Sequence, residues 1–240
     1  MTSNTIFIFL LLLFVFGGIG IFVTNRKKEK NEKRHSWIKY SVYFLIVNTL
    51  FASIIYCPTL FSIFCILIVL GGGFELIRLQ YQLTGHGFGM ILLAYIPVSV
   101  LFCFFGFVEQ NILSFTLLIV CSFDAFSQLS GQLLGKRKIC PKISPEKTIG
   151  GTVGGTIISI TVCVIAGCTM KWDVIFSSII GLGIAVVSFA GDLSASYVKR
   201  QAGVKDFGRA FPGHGGFLDR FDSLILAGAF MYLFQLCCRL

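Results

Sequence analysis

The chain alternates between long apolar stretches and short polar ones. Eight nearly uncharged stretches can be drawn, at roughly 5–24, 37–56, 58–76, 88–107, 111–130, 150–170, 173–191 and 222–239. About 20 apolar residues in a helix cross a hydrocarbon core of about 30 Å. Backbone polar groups in lipid must bond within their own segment, which favours helices. The pattern therefore predicts an all-α, polytopic integral membrane protein with about eight transmembrane helices.

Composition supports this interpretation and excludes a soluble globular protein. Of the 240 residues, 55% are hydrophobic and 13% are charged, against about 25% charged in soluble proteins. The nine cysteines include no CxxC pair, so the spacing of a zinc site is absent. The first apolar stretch is long and follows no basic residue, which indicates a retained first span and not a cleaved signal peptide.

Positive charge is concentrated in alternate loops. The loops 25–39, 77–87, 131–149 and 192–221 hold 18 of the 20 Lys and Arg residues. Because cytoplasmic loops carry the excess of basic residues, we expect these loops on the cytoplasmic side of the membrane. Such a surface suits anionic lipids and phosphorylated substrates. It lacks the interleaved aromatic residues of a nucleic-acid-binding face, so no nucleic-acid partner is expected.

The side chains that can carry chemistry gather in these same loops. If the seventh helix continues beyond its apolar stretch, Asp192, Ser196 and Lys199 lie on one face, at i, i+4 and i+7. Arg200 lies beside them. A carboxylate, a hydroxyl and an ammonium in one stripe can hold a metal ion and a phosphate together. An ordinary solvated helix end is the alternative interpretation of the same residues.

The segment FPGHGGFLDRFD leads into the last apolar stretch. The backbone N–H groups of Gly215 and Gly216, with His214, are predicted to cradle phosphate oxygens at the start of the following helix. Asp219 and Asp222 share a helix face at i and i+3. They suit Mg²⁺, which takes few protein carboxylates plus substrate phosphates. Two acids placed to favour the helix dipole are the alternative.

Three further polar positions lie earlier in the chain. The segment SPEKT is predicted to start a helix and to place Lys147 near a phosphate, with a lysine that snorkels to the interface as the alternative. Asp124 lies within the fifth apolar stretch and must face a partner or a polar cavity. Glu75, after three glycines in the third stretch, is a weaker case of the same kind. We divide the chain into N-terminal helices, 1–110, and a catalytic region, 111–240.

Two groups of residues in the second half of the chain resemble the motifs of the phosphatidate cytidylyltransferase, or CDP-diacylglycerol synthase, family. The later group is Ser196, Lys199, Arg200, Lys205, Asp206, Pro212, His214, Gly215, Gly216, Asp219, Arg220 and Asp222. The middle group is Asp124, Gly131, Gly135, Lys136, Pro141, Ser144, Pro145, Lys147, Thr148 and Gly151. Gln128 and Gln132 depart from the family, which often has a tyrosine and a basic residue at these positions.

The resemblance implies a Mg²⁺-dependent nucleotidyltransferase of phospholipid biosynthesis. Such an enzyme transfers the cytidylyl group of CTP to phosphatidate, or to a related lipid phosphate, and releases pyrophosphate. A second, monovalent cation fits the same resemblance, as does an active-site cavity that opens to the cytoplasm. The expected partners are CTP, the lipid phosphate and membrane lipids, and a homodimer is left open.

The resemblance also implies roles for individual residues. The implied metal ligands are Asp192, Asp219 and Asp222. The implied catalytic residues are Asp219, Asp222, Lys199 and Lys147. The implied substrate or phosphate contacts are Ser196, Arg200, Lys205, His214, Gly215, Gly216, Arg220 and Asp124.

Two other functions remain open from the sequence. A CTP-dependent polyprenol or lipid kinase would release CDP instead of pyrophosphate. A cation-coupled transporter would use its intramembrane acids to carry cations, but transporters place their binding residues near the bilayer midplane. The acids of this chain gather at one face instead.

Overall fold

The structure, a computed structural model, describes residues 3–26, 29–83, 87–208, 210 and 215–238. The described chain forms eight helices: α1 (Ser3–Asn25), α2 (Lys30–Tyr56), α3 (Pro58–Arg78), α4 (Gly87–Phe105), α5 (Gln110–Leu134), α6 (Ile149–Thr169), α7 (Val174–Gln201) and α8 (Leu218–Cys238). A hairpin of β1 (Lys138–Cys140) and β2 (Ser144–Thr148) lies between α5 and α6. All eight helices are long and apolar enough to cross a membrane. The predicted all-α polytopic membrane fold is confirmed.

The helices at the centre and at the rim differ in burial. Every residue of α5 from Ile112 to Phe123 is buried, and α5 packs against α1, α2, α6, α7 and α8. A helix that is apolar on all sides is typical of such a surrounded position. By contrast, only 17% of the apolar window of α1 and of α4 is buried. These two helices form part of the surface that faces lipid.

Small residues bring α5 and α6 close together beside the hairpin. A Cβ on Gly155 would lie 3.0 Å from the backbone N and Cα of Ser127, and one on Gly154 would overlap the hydroxyl of Ser130. Helices in lipid depend on such close backbone contacts, because their apolar side chains gain little by leaving the lipid. The contact fixes the start of α6, and with it the hairpin, against the end of α5.

The SPEKT segment forms β2, so the prediction that it starts a helix is wrong. The strands pair antiparallel, with Lys138 opposite Thr148. The residue before Pro145 is biased towards extended backbone, and Thr148 is also extended, with φ −122° and ψ 153°. The Thr148 hydroxyl accepts the N–H of Gly151 at 3.1 Å, which makes it the N-cap of α6. Lys147 therefore lies on a strand, directly before the cap.

The seventh helix does continue beyond its apolar stretch. α7 runs to Gln201, nearly three turns past the predicted end of the apolar segment. The condition for a common face of Asp192, Ser196 and Lys199 is thus met. α2 is likewise longer than predicted and begins at Lys30.

The α5–α6 contact predicts the effect of one added methyl group. Gly155→Ala is expected to lower the free energy of unfolding by about 1–3 kcal/mol, because the new Cβ overlaps the backbone of Ser127. The change is measured as a lower Tm in detergent. Gly89→Ala in α4 is the matched control, since nothing lies within 4 Å of its Cβ position. Equal Tm values for the two variants would contradict the close contact.

Candidate active site

The candidate site lies where α7 crosses α8. A Cβ on Gly191 would lie 2.6 Å from the backbone O of Asp222, so only a glycine lets the two helices approach this closely. Asp192 follows Gly191 directly. The crossing therefore places the carboxyl-bearing residues Asp192 and Asp222 next to each other, at the end of the bundle where α7 ends and α8 begins.

Asp192 is held by the hairpin. The Lys147 ammonium lies 3.0 Å from Asp192 Oδ2. It also donates to the backbone O of Phe189 at 3.3 Å and lies 4.4 Å from the centre of the Phe189 ring. The Asp192 side chain stays 45% exposed. Its other oxygen is 3.5 Å from the hydroxyl of Ser196, one turn along α7, which is a long and weak hydrogen bond. Asp192 therefore keeps open coordination positions beside a fixed cation.

Asp124 and Asp222 bring two more carboxyl groups to the same place. Asp124, on α5, interacts electrostatically with both Asp192 and Asp222, and the Ser223 side chain hydrogen-bonds to it. Asp222 Oδ1 accepts the N–H of Ser223 at 2.8 Å. The prediction that Asp124 faces a polar partner is met by this arrangement. Three acids from three different helices thus influence one another at the end of α8.

Asp219 is differently placed and is fully engaged. The Lys199 ammonium lies 2.7 Å from Asp219 Oδ1, and the Asp219 side chain is only 1% exposed. Asp219 Oδ2 accepts the N–H groups of Phe207 and Gly216, each at 2.8 Å. A carboxylate with three charge-assisted or backbone hydrogen bonds is well satisfied without a metal ion. In this arrangement Asp219 ties the end of α7 and the connecting segment to α8.

These contacts bear on the predicted metal ligands. Among the residues that the structure describes, no group of three or more His, Cys, Asp or Glu side chains could hold a metal ion. Asp192 and Asp222 fit Mg²⁺, which is satisfied by one or two carboxylates plus substrate phosphates and water. The donor set of Asp219 does not fit in the same way, because both of its oxygens have protein partners.

The predicted phosphate contacts are distributed around this centre. Arg200 reaches the hairpin, with Nε donating to the backbone O of Ile143 at 3.1 Å. Lys205 is exposed. Gly215 has a φ of +81°, and a Cβ there would overlap the Asp219 carboxylate, so the backbone requires glycine at this position. The N–H of Gly216 is already bonded to Asp219. His214 lies outside the described residues.

Arg220 lines a small cavity beside the site acid Asp124. The cavity has a volume of about 20 Å³, enough for about one water molecule, and Tyr43 also lines it. A larger cavity of about 490 Å³ lies at the opposite ends of the helices, where Phe104, Glu109 and Tyr232 line it. It contains none of the predicted site residues and has no place in the chemistry discussed below.

Glu75 makes stronger contacts than the sequence pattern around it indicates. This residue of α3 is 5% exposed, and its two carboxylate oxygens accept the N–H groups of Phe217 and Leu218 at 2.9 and 3.0 Å. The N-terminus of α8 is therefore capped by an acid from the first half of the chain. The three glycines before Glu75 were the available signal, since glycines in a membrane helix mark close approach of another segment.

Comparison with known proteins agrees with this geometry. A sequence profile described as the cytidylyltransferase family matches residues 1–238. The chain is similar to the phosphatidate cytidylyltransferase of Rickettsia prowazekii (32% identical over 216 residues, 85% of this chain and 94% of that protein). It is also similar to that of Rickettsia felis (29% over 226 residues, 89% and 99%) and to that of Brucella abortus (40% over 134 residues, 54% and 47%). The chain belongs to the cytidylyltransferase family.

Proposed function

We propose that this protein transfers the cytidylyl group of CTP to phosphatidate and releases pyrophosphate, giving CDP-diacylglycerol for phospholipid synthesis. One observation carries the proposal: two carboxyl residues, Asp192 and Asp222, lie at one end of a membrane helix bundle together with two partly buried lysines, Lys147 paired with Asp192 and Lys199 paired with Asp219. A reaction between two phosphate-bearing substrates needs such mixed charge, and a lipid substrate needs it at a membrane surface. The names of the full-length relatives support phosphatidate as the acceptor.

A divalent cation belongs to this proposal. Asp192 and Asp222 would hold Mg²⁺, which supplies neutralising charge for the phosphate oxygens when bound. The grouping of three acids, Asp124, Asp192 and Asp222, supports it, because among the described residues a lysine ion pair is seen for Asp192 alone of the three. The second, monovalent cation stays a prediction.

The protein's own groups mainly position the substrates and neutralise charge. An oxygen of the phosphatidate phosphate forms a bond to the α-phosphorus of CTP, and the bond from that phosphorus to the bridging oxygen of the β-phosphate breaks. The lipid phosphate is already anionic, so no strong general base is required. Lys147 and Lys199 stabilise the charge that builds up on the leaving pyrophosphate. Asp219 fixes the direction of Lys199 through its 2.7 Å contact.

The position of the site supports an orientation as well. Many of the basic residues of the alternate loops lie in the hairpin, at the end of α7 and at the start of α8. Under the positive-inside tendency, the site faces the cytoplasm, where CTP is available, at the inner membrane of a bacterial cell. Phosphatidate then reaches it laterally from the inner leaflet.

The first test is the reaction itself. Purified protein with Mg²⁺ and CTP is expected to form a CDP-lipid and pyrophosphate when offered phosphatidate within a panel of lipid phosphates. Mass spectrometry of the lipid and an enzymatic pyrophosphate assay measure the products. Release of CDP with a newly phosphorylated lipid would instead identify a kinase, and cation flux in liposomes without CTP turnover would identify a transporter.

Removing one carboxyl charge at the helix crossing tests the cation. Asp222→Asn is expected to lower kcat by at least about 100-fold, and Asp192→Asn to raise the Mg²⁺ concentration for half-maximal rate by about 10-fold or more. Asp173→Asn is the matched control. Asp173 caps the other end of α7 by accepting the N–H of Ile175, and asparagine caps a helix equally well. Wild-type kinetics in Asp222→Asn would refute the site.

The hairpin lysine has its own expected signature. Lys147→Met should lower kcat/KM for CTP by about 10- to 100-fold, because a charged hydrogen bond to the phosphates is lost. Lys142→Met serves as the control, since Lys142 is exposed at the turn of the same hairpin. The prediction fails if steady-state assays give the two variants the same kcat/KM.

A further inference from the structure

Glu75 occupies a position that the reaction does not explain by itself. It is a buried carboxylate inside a membrane-spanning helix, where an ionisable side chain is costly without strong partners. Its partners are two backbone N–H groups, of Phe217 and Leu218, which lie 142 and 143 residues later in the chain. The first N–H groups of a helix have no partners within the helix. Glu75 satisfies the first of them, that of Leu218, together with the N–H of Phe217 directly before α8, and its charge matches the positive end of the helix dipole.

The surrounding glycines show that this contact is built in on both sides. On α3, a Cβ on Gly71 would lie 2.9 Å from the ring of Phe217, and one on Gly72 would lie 2.9 Å from Leu218 Cδ2. On the other side, a Cβ on Gly208 or Gly216 would overlap the Glu75 carboxylate. Any larger residue at these positions would push α8 away from α3. The space is therefore shaped around one carboxylate and the first turn of α8.

The same turn of α8 carries the site acids. Leu218, whose N–H donates to Glu75, is followed directly by Asp219. Asp222 lies about one turn further along α8. Asp219 in turn receives Lys199 and the N–H of Gly216. The start of α8 is thus held between two carboxylates, Glu75 from α3 and its own Asp219. Displacement of this turn would move Asp222 relative to Asp192, which sits on a different helix.

We propose that Glu75 is a positioning residue of the active site: by binding the N–H groups of Phe217 and Leu218 it sets the depth and direction of α8, and so the distance between Asp222 and Asp192. This inference rests on the proposed function for its kinetic consequence. It also makes the N-terminal half of the chain part of the catalytic apparatus. The N–H groups at the start of α8 are then occupied by the Glu75 carboxylate. Substrate phosphates are held by Lys147 and Lys199 and not by these N–H groups.

Three substitutions at one position test the proposal. Glu75→Gln keeps the shape but replaces one accepting oxygen with an NH₂ group, so one backbone N–H loses its partner. Glu75→Asp keeps the charge on a shorter side chain, and Glu75→Ala removes both acceptors. Misplacement by about 1 Å costs about 100-fold in rate. We therefore expect kcat to fall about 10-fold in Glu75→Gln and about 100-fold in Glu75→Ala, with the KM for CTP changed less than 3-fold, or roughly within assay scatter.

Hydrogen exchange by mass spectrometry gives a readout that does not depend on activity. Peptides covering 215–220 should exchange at least about 10-fold faster in Glu75→Gln, while peptides from α5 should be unchanged. Glu109→Gln is the matched control. Glu109 is exposed, pairs with Asn111 and lies at the opposite end of the bundle, so both kcat and exchange should equal those of the wild type.

The outcomes separate the two proposals. If the wild type forms no CDP-lipid, the proposed function fails, and faster exchange at 215–220 in Glu75→Gln still decides whether Glu75 positions α8. Wild-type kcat and wild-type exchange in Glu75→Gln would overturn the positioning role. So would a loss of kcat matched by faster exchange throughout the protein, because it would indicate general destabilisation. If Glu75→Gln does not fold, Glu75→Asp takes its place with the same expected loss of kcat and the same local exchange.

Discussion

A carboxylate near the hydrocarbon region must have a partner, and this requirement organises the end of the bundle that carries the site. A charged group in lipid is costly without hydrogen bonds or an opposite charge. Glu75 and Asp219 meet the requirement through backbone N–H groups and Lys199, and Asp192 does so through Lys147. The bonds of Glu75 join segments 142 and 143 residues apart, and the two lysine pairs join different elements of the fold. The hydrogen bonds and ion pairs of these acids therefore form only when α3, α7, α8 and the hairpin pack together.

Close helix contacts through glycine are the second part of this design. Gly191 lets α7 touch the backbone of α8, and Gly155 lets α6 touch α5. In lipid, such contacts depend on van der Waals packing at short backbone distances. They fix the relative height of neighbouring helices to within a turn. Without that precision, side chains on separate helices could not hold one pair of substrates in a fixed geometry.

The sequence alone was sufficient for the helices, and the roles of the site residues stay predictions. Apolar length predicts the eight spans, and the i, i+4 and i+7 spacing on α7 predicts the common face of Asp192 and Lys199. The partners of Asp219 were not predictable, because Phe207 and Gly216 bond through backbone atoms that every residue possesses. Lys147 was assigned to a helix start, since five residues with a proline fit a first helical turn as well as a strand. Glu75 was undervalued because its partner segment is 142 residues away, a distance that no local pattern spans.

The order in which the helices are synthesised differs from the order in which they contact one another. α4 packs against α3 and α8. The rings of Phe102 and Phe105 on α4 lie against Gly228 of α8, where a Cβ would lie 2.7 Å from each ring. A nascent chain therefore leaves α4 with one neighbour until α8 emerges from the ribosome. Until then the Glu75 carboxylate also lacks its two N–H partners. Biogenesis of this protein is thus expected to include a late intermediate that chaperones or the insertion machinery must protect, and α8 acts as the closing element of the bundle.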